Sequence, residues 1–411
     1  MSLFQPPPEP KSPMGYHRVL SPNAAVKVSP ICLGGISIGN SWAEYTGKNQ
    51  DPFELLDAFF KIGGNFIDTS NVYNSEDSEK LIGQWMEECG TRDQMVIATK
   101  YSAHYRAHDR ENTPLQTNFL GNSVKSMHVS VRCSLEKLRT DYIDILYVHW
   151  WDFTTSVEEV MRGLHAHVMA KEVLYLGISD TPAWIVVKAN AYARQHGLTP
   201  FSVYQGKWNA SCRDMEGEII PMCEDQGMAI VPWSALGSGQ LLSAEQRQER
   251  ANDPDALQAT PSQRDLAVSE ALEKIASAKG TSFQAIALSY LFHQSTYVFP
   301  IVGVNTVAHV NAMSDALRVE LSREDIDAIH EAAPYDPGFP MSFYFSWTKP
   351  QKYDLSLTAA NHNQIQMGAW IDVPPKQLGK LTTGDISYQA KRWTIGEAKD
   401  PSRGGAVKRR I

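Results

Sequence analysis

Eight short apolar runs, each followed by a segment with helical spacing, restrict the fold of this 411-residue chain more than any other feature. Continuous apolar runs are typical of strands that are buried on both faces of a parallel sheet. Eight such strands alternating with helices predict an α/β fold, a closed (β/α)8 TIM barrel. The first run ends at Gly34–Gly35, and the others are 65–70, 95–100, 144–149, 173–179, 201–205, 228–233 and 297–303.

The segments between these runs predict the helices of the barrel. No GxGxxG follows the first strand, which argues against an open doubly wound sheet. The stretch "RVLSPNAAVKVSPICLGG" predicts an N-terminal hairpin that leads into the first strand. We expect a flexible Pro-rich terminus over 1–15, one barrel domain over 16–333, and a long C-terminal loop segment over 334–411 that covers the barrel rim. The expected helices are 53–62, 76–88, 122–138, 157–169, 182–195, 216–226, 265–278 with 282–293, and 306–317.

Charge and cysteine content exclude several classes of protein. The net charge is −8 without long Lys/Arg runs, so nucleic acid and anionic membranes are poor partners. No apolar stretch is long enough for a signal peptide or a membrane span. Five scattered cysteines without a CxxC pair argue for reduced thiols and against zinc. We therefore expect a cytoplasmic protein without a metal.

Polar residues at the ends of three neighbouring predicted strands indicate the chemistry. Asp68 ends the second strand with Tyr73 in its loop, Lys100 ends the third strand, and His149 ends the fourth. In a barrel these strand ends converge at the rim that carries the active site. A lysine beside a phenol favours the ionised form and is expected to lower the tyrosine pKa from about 10. Each residue alone has an ordinary structural explanation, but the set predicts a tyrosine general acid.

Several separate segments resemble the aldo-keto reductases. "GGNFIDTSNVYNSEDSEKLIG", "VIATK" and "DILYVHWWD" are similar to that family's signature segments, and the resemblance covers roughly 16–333. "GISDTPAW", "YQGKWNA" and "DPGFP" resemble the fungal aryl-alcohol dehydrogenase and norsolorinic acid reductase branch. The resemblance implies an NADP-dependent oxidoreductase with a catalytic tetrad of Asp68, Tyr73, Lys100 and His149.

The resemblance also implies NADP(H) binding without a Rossmann fold. Ser179, Asp180 and Gln205 match residues that hold the nicotinamide carboxamide, although the family usually has asparagine where this chain has Asp180. Trp208 matches an aromatic that stacks on the nicotinamide, and the small residues of "PWSALGSGQL" suit a pyrophosphate. The expected cofactor contacts are Asp68, Ser179, Asp180, Gln205, Trp208, Ser234, Leu236, Gly237, Ser238, Gly239, Gly303, Asn305 and His309.

The segment expected to bind adenosine departs from the family pattern. Asn305 and Thr306 occupy the usually basic positions, and Met313 stands at the usual asparagine. Losing a bidentate phosphate partner costs about 1.5–3 kcal/mol of charged hydrogen bonding. We therefore expect either weak binding of NADPH or tolerance of NADH, and His309 and Arg318 are candidates to compensate.

The expected substrate contacts are Tyr73, His149 and Trp150. Loop 101–119 and the aromatic stretch 339–347 predict a wide aromatic pocket, or else these aromatics only pack the C-terminal segment on the barrel. The favoured function is reduction of an aryl aldehyde, ketone or polyketide carbonyl, or the reverse oxidation, by a monomer or homodimer acting on a small aromatic molecule. A redox-neutral step such as dehydration and a non-catalytic regulatory subunit are the alternatives.

Overall fold

A short antiparallel hairpin closes one end of the molecule. A computed structural model describes residues 8–47, 49–252, 260–346 and 353–374. Strand β1 (Arg18–Ser21) pairs with β2 (Ala24–Val28), and Leu20 and Val28 are buried in a cluster with Phe66 and Phe299 from inside the barrel. Because this hairpin plugs the end where the strands begin, the opposite end is left for a functional site.

Eight parallel strands form the predicted barrel, and the order of the strands in the sheet confirms the prediction. The strands are β3 (Cys32–Gly34), β4 (Phe66–Asp68), β5 (Val96–Tyr101), β6 (Ile143–Val148), β7 (Val173–Ser179), β8 (Val203–Lys207), β9 (Ala229–Trp233) and β10 (Ile301–Val302). Their order in the sheet is β10-β3-β4-β5-β6-β7-β8-β9. Between β9 and β10 the gap is spanned at Ile230, whose backbone N–H donates to Tyr297 O at 2.8 Å and whose carbonyl accepts from Phe299 N at 2.9 Å.

Helices surround the strands, and several of them begin where a serine side chain caps the first turn, as Ser123 and Ser156 do. Among the described residues, five helices were not predicted: α1 (Ala43–Thr46), α8 (Ala244–Asn252), α12 (Arg323–Ala332), α13 (Met341–Tyr344) and α14 (Asn363–Gly368). Of these, α12 had a readable signal, since Ser322 and Asp325 form a capping box at its start. The helices are α1 (Ala43–Thr46), α2 (Pro52–Lys61), α3 (Asp77–Cys89), α4 (Val124–Leu138), α5 (Val157–Met169), α6 (Ala183–Gln195), α7 (Ile219–Gln226), α8 (Ala244–Asn252), α9 (Gln263–Lys279), α10 (Phe283–Phe292), α11 (Val307–Ala312), α12 (Arg323–Ala332), α13 (Met341–Tyr344) and α14 (Asn363–Gly368).

The C-terminal segment packs on the loop after β8 and on α12. Arg213 and Glu216 form an ion pair at 2.7 Å with side chains 1% and 0% exposed. Arg213 Nη2 also donates to Tyr353 O at 3.1 Å, and Arg323 Nη2 lies 2.5 Å from Asp354 Oδ2. Trp347 and the expected tail beyond 374 lie outside the described residues. Over the residues that are described, no helix is both long and apolar enough to cross a membrane.

Candidate active site

Asp68 and Lys100 form a buried ion pair at the ends of adjacent strands. Lys100 Nζ lies 2.6 Å from Asp68 Oδ2 and also donates to Thr69 O at 2.7 Å, with the lysine side chain 0% exposed. Across the barrel, Gln205 Nε2 donates to Asp68 Oδ1 at 2.8 Å. Burial alone would lower the pKa of Lys100, but Asp68 and Tyr73 raise it above its usual value. The ammonium therefore stays charged inside the barrel.

Tyr73 reaches the same lysine from the loop after β4. Lys100 Nζ donates to Tyr73 Oη at 3.2 Å. The expected lowering of the tyrosine pKa is wrong: burial raises the pKa of Tyr73 above its usual value, and the Lys100 charge only partly opposes this. The reason is that the phenol is largely withdrawn from water, which disfavours the phenolate. Tyr73 is consequently protonated at neutral pH, as a proton donor requires.

His149 lies opposite Tyr73, just beyond the end of β6. The two ring centres are 6.0 Å apart, and His149 Nδ1 lies 3.3 Å from Ser70 Oγ. Burial and the Lys100 charge lower the pKa of His149 well below 6.5, so the imidazole is neutral. Trp150 follows with its ring 4.7 Å from the imidazole and its side chain 41% exposed. The structure thus brings the four predicted tetrad residues together, with Trp150 beside them.

Ser179 ends β7 on the same rim, and Asp180 follows it. Ser179 is 1% exposed, and its hydroxyl lies beside the Asp180 carboxyl. Asp180 adopts a left-handed backbone with φ 41°, and burial raises the pKa of its carboxyl. Trp233 Nε1 donates to Asp180 Oδ1 at 3.1 Å. A buried hydroxyl and a carboxyl beside an indole edge offer donors and acceptors that fit an amide ligand such as a carboxamide.

The structure separates the two tryptophans at this rim. Trp208 is 0% exposed, and its Nε1 donates to Glu216 Oε1 at 3.1 Å within the cluster that anchors the C-terminal segment. A ring that stacks on a cofactor must have an exposed face when the cofactor is absent. The complete burial of Trp208 therefore contradicts its expected role of stacking on the nicotinamide. Trp233, which the sequence reasoning missed, is half-buried beside Asp180. It ends β9 directly before the small-residue loop, and that position was a readable signal.

The loop after β9 has the backbone shape of an anion-binding turn. Four residues in it have positive φ: Ser234, Gly237, Ser238 and Gly239, with values from 50° to 82°. Successive left-handed residues turn backbone N–H groups toward one point, which suits a phosphate. Arg250 on α8 donates to Gly239 O at 2.6 Å and so brings a cation to this loop. The side chain of Leu236, also predicted here, packs against the core.

The end of β10 offers no comparable arrangement. Asn305 Nδ2 donates to Thr46 O at 2.8 Å, and its backbone N–H lies 3.5 Å from His309 Nδ1. Met313 is 2% exposed and belongs to the core. Arg318 pairs with Asp315 at 3.4 Å. The side chains predicted to meet adenosine are thus engaged in local contacts, and Gly303 lies on the rim beside them.

Comparison with known proteins agrees with this geometry. The Aldo/keto reductase family model matches residues 30–334. A norsolorinic acid reductase of Emericella nidulans is 48% identical over 373 residues, which is 90% of this chain and 95% of that protein. Norsolorinic acid reductase A of Aspergillus parasiticus is 46% identical over 374 residues (90% and 94%). An aryl-alcohol dehydrogenase [NADP(+)] of Phanerodontia chrysosporium is 47% identical over 374 residues (88% and 96%). The chain therefore belongs to the aldo/keto reductase family and is an oxidoreductase that uses a nicotinamide cofactor.

Proposed function

We propose that this chain interconverts aryl carbonyl compounds and alcohols with NADP(H), with Tyr73 as the general acid and base. The observation that carries the proposal is the position of Lys100 Nζ, within 2.6 Å of Asp68 Oδ2 and 3.2 Å of Tyr73 Oη. A charged amine at that point stabilises a phenolate when Tyr73 gives up its proton. The Asp68 carboxylate balances the lysine charge throughout.

Each residue of the tetrad has a separate task in the reaction. A bound nicotinamide supplies the hydride in reduction and accepts it in oxidation. Tyr73 donates its phenolic proton to the carbonyl oxygen as this becomes a hydroxyl, and it takes the proton back in the reverse direction. Neutral His149 orients that oxygen by a hydrogen bond. Lys100, charged and buried, holds the Tyr73 hydroxyl and stabilises its anion.

The cofactor is proposed to lie from β7 across β9. Ser179, Asp180 and Gln205 would hold the carboxamide, Trp233 would contact the nicotinamide ring, and the 234–239 loop would hold the diphosphate. We propose NADP(H) with tolerance of NADH, because Asn305 lacks the charge that a 2′-phosphate requires. Support for NADP comes from the name of the Phanerodontia chrysosporium relative. Arg250 is the proposed cation beside the diphosphate.

An aromatic substrate is supported by apolar side chains exposed on the rim loops. Tyr45 after β3, Leu115 after β5, and Trp150 and Phe153 after β6 are 84%, 85%, 41% and 68% exposed. Such a border favours flat, apolar ligands that stack on it. We propose the stretch 339–346 as a further wall. The redox-neutral and regulatory alternatives are not favoured, since close relatives are named as reductases and dehydrogenases.

The substitution Tyr73→Phe tests the proposal, because it removes only the hydroxyl. We expect kcat for an aryl aldehyde to fall by roughly 10²–10⁴-fold, the usual effect of a general acid. The dissociation constant for NADPH, measured by fluorescence titration, should change little. Turnover close to that of the unmodified protein would show that Tyr73 is not the proton donor.

A further inference from the structure

The turn that carries Tyr73 has an unfavourable backbone. Three successive residues without glycine's freedom, Asn74, Ser75 and Glu76, have φ of 51°, 54° and 80°. Left-handed conformations at such residues cost free energy and persist only where neighbouring groups hold them. Strain of this kind concentrates at functional sites, so the groups that hold the turn also determine where the Tyr73 hydroxyl lies.

On one side the turn is held by Asn74. This residue is 0% exposed, and its Nδ2 donates to Ile36 O at 2.8 Å while its Oδ1 accepts from Trp42 N at 2.9 Å. The Trp42 ring in turn meets the Tyr73 ring edge-on at 6.2 Å. Asn74 therefore attaches the turn to the loop that follows β3.

On the other side the turn is held by Glu76, which reaches the loop that follows β5. Glu76 Oε1 lies 3.1 Å from Arg106 Nη1 and 3.5 Å from His108 Nε2, and its side chain is 4% exposed. Its Oε2 lies 3.1 Å from Lys137 Nζ on α4. A carboxylate this well buried is held by its cationic partners, so moving Arg106 would move the turn.

The loop 102–119, here the substrate-side loop, behaves as one packed unit around Arg106. Gln116 Nε2 donates to Arg106 O at 2.7 Å, and the rings of Tyr105 and Phe119 meet edge-on at 5.7 Å. A displacement of this loop by a bound substrate would consequently be passed to Arg106 rather than absorbed within the loop.

Glu79, three residues further on, shows that Glu76 is not needed to balance Lys137. Glu79 Oε2 lies 2.7 Å from Lys137 Nζ, and Thr99 Oγ1 donates to Glu79 Oε1 at 2.5 Å, with the glutamate 0% exposed. This second carboxylate ties α3 to α4 and β5 inside the barrel wall. The contact that Glu76 adds beyond it is the one to the substrate-side loop.

We propose that Glu76 is a positioning residue that couples the substrate-side loop to the Tyr73 turn. When an aromatic substrate rests against the loop, Arg106 holds Glu76, and Glu76 holds the turn at the conformation in which Tyr73 Oη meets Lys100. The proposal rests on the proposed role of Tyr73 as proton donor. It predicts that kcat, and not cofactor affinity, depends on the Glu76–Arg106 contact.

The test is a double-mutant cycle on Glu76→Gln and Arg106→Ala, assayed by NADPH oxidation with benzaldehyde and with 1-naphthaldehyde. Each single variant should lower kcat about tenfold with naphthaldehyde and less with benzaldehyde, which is too small to engage the whole loop. The double variant should lose no more than the larger single loss, because the two changes break one contact. Arg106→Lys keeps the charge and should recover part of the rate.

Controls separate positioning from stability and from the role of Tyr73. Glu79→Gln should lower the midpoint of thermal unfolding while kcat per folded molecule is retained. Additive losses in the cycle, or equal losses with both aldehydes, would overturn the positioning role. If Tyr73→Phe is inactive while Glu76→Gln and Arg106→Ala are normal, the positioning role alone fails. If Tyr73→Phe retains turnover, the proposed function fails first. Arg106 is 30% exposed on a loop, so we expect its variants to fold. If Glu76→Gln does not fold, the Arg106 variants still measure the effect of the contact on kcat.

Discussion

The two ends of the proposed cofactor site are built in opposite ways. At the nicotinamide end, Lys100, Asp68 and Gln205 come from three strands and are joined by contacts of 2.6 and 2.8 Å inside the barrel. At the adenosine end, Asn305 binds the neighbouring Thr46 carbonyl, and Met313 packs into the core. The groups at the nicotinamide end are thus positioned for chemistry. At the adenosine end, the Asn305 and Met313 side chains are engaged in a loop contact and in core packing.

This difference shows which properties the barrel itself determines. Groups held between buried strands cannot shift without breaking the sheet, so the positions of Asp68 and Lys100 follow from the fold. The Asn305 side chain on the loop after β10 donates to a carbonyl of another loop rather than to a strand, so we expect its replacement to change cofactor affinity rather than folding. We therefore expect substitutions at the first end to alter rate and stability together, and substitutions at the second end to alter cofactor preference alone.

The largest effect is expected for Lys100→Met. It leaves Asp68 buried without its cation, which should lower the free energy of unfolding by about 3–5 kcal/mol. It also removes the group that stabilises the Tyr73 anion, so kcat should fall by roughly 10²–10⁴-fold. Urea unfolding and steady-state kinetics measure the two losses.

A matched control for that variant is Lys80→Met. Lys80 pairs with Asp77 at 3.1 Å, but both side chains are about half exposed. Such a pair contributes at most about 1 kcal/mol, so stability and rate should hardly change. If Lys100→Met proved as mild as this control, the proposed dependence of the nicotinamide end on the buried ion pair would be wrong.

The two tryptophans show how far sequence reasoning reaches. Strand ends could be recognised from apolar runs, and with them Asp68, Lys100 and His149, because a barrel brings all strand ends to one rim. The direction in which a side chain points beyond the strand end could not be recognised from such runs. Trp208 follows β8 by one residue and turns into the Glu216 cluster, whereas Trp233 ends β9 and remains on the rim. The small-residue loop after Trp233 was a signal in the sequence, but only tertiary contacts show that Trp208 turns away from the rim.

The next largest effect is expected for Trp233→Leu. Removing a ring that stacks on the nicotinamide should weaken NADPH and NADH alike by roughly tenfold, since aromatic stacking adds about 0.5–1.5 kcal/mol beyond area burial. Trp208→Phe serves as the comparison, because it should lower stability but leave both dissociation constants unchanged. Fluorescence titration with each cofactor decides between them. If only the Trp208 variant bound the cofactors more weakly, the expectation that Trp208 stacks on the nicotinamide would be right after all.

A smaller effect is expected at the adenosine end. Asn305→Arg places a guanidinium where the 2′-phosphate is expected, and it should tighten NADPH relative to NADH by up to about tenfold for each 1.4 kcal/mol recovered. The unfolding midpoint should move little, since the lost contact is one hydrogen bond to Thr46. If the unmodified protein already binds NADPH far more tightly than NADH, a cation other than residue 305 contacts the 2′-phosphate. Arg250 would then be the first residue to replace in a search for that cation.

Glu76 and the pKa of Tyr73 illustrate what the sequence pattern could not provide. The partners of Glu76 are 30 and 61 residues away, on a loop and a helix that no local spacing connects with it. The pKa of Tyr73 depends on the balance between the Lys100 charge and loss of water, and burial is the larger contribution. Neither quantity is visible until the barrel is closed around the residues.

The smallest expected effect is that of pH on reduction, and it follows from the nicotinamide end alone. Burial raises the pKa of Tyr73 above its usual value near 10, so the proton donor is fully protonated below that pH. Burial and Lys100 hold the pKa of His149 well below 6.5, so the imidazole does not gain a proton above that value. The kcat for reduction should therefore be flat between about pH 6.5 and 9, measured by NADPH oxidation.

Oxidation of the alcohol requires the Tyr73 phenolate, whose population grows with pH. The rate of alcohol oxidation should therefore rise by up to about tenfold per pH unit over the same range. A clear inflection of the reduction rate near pH 6.5 would mean that His149 titrates, and that the rim is more open to water than its contacts indicate.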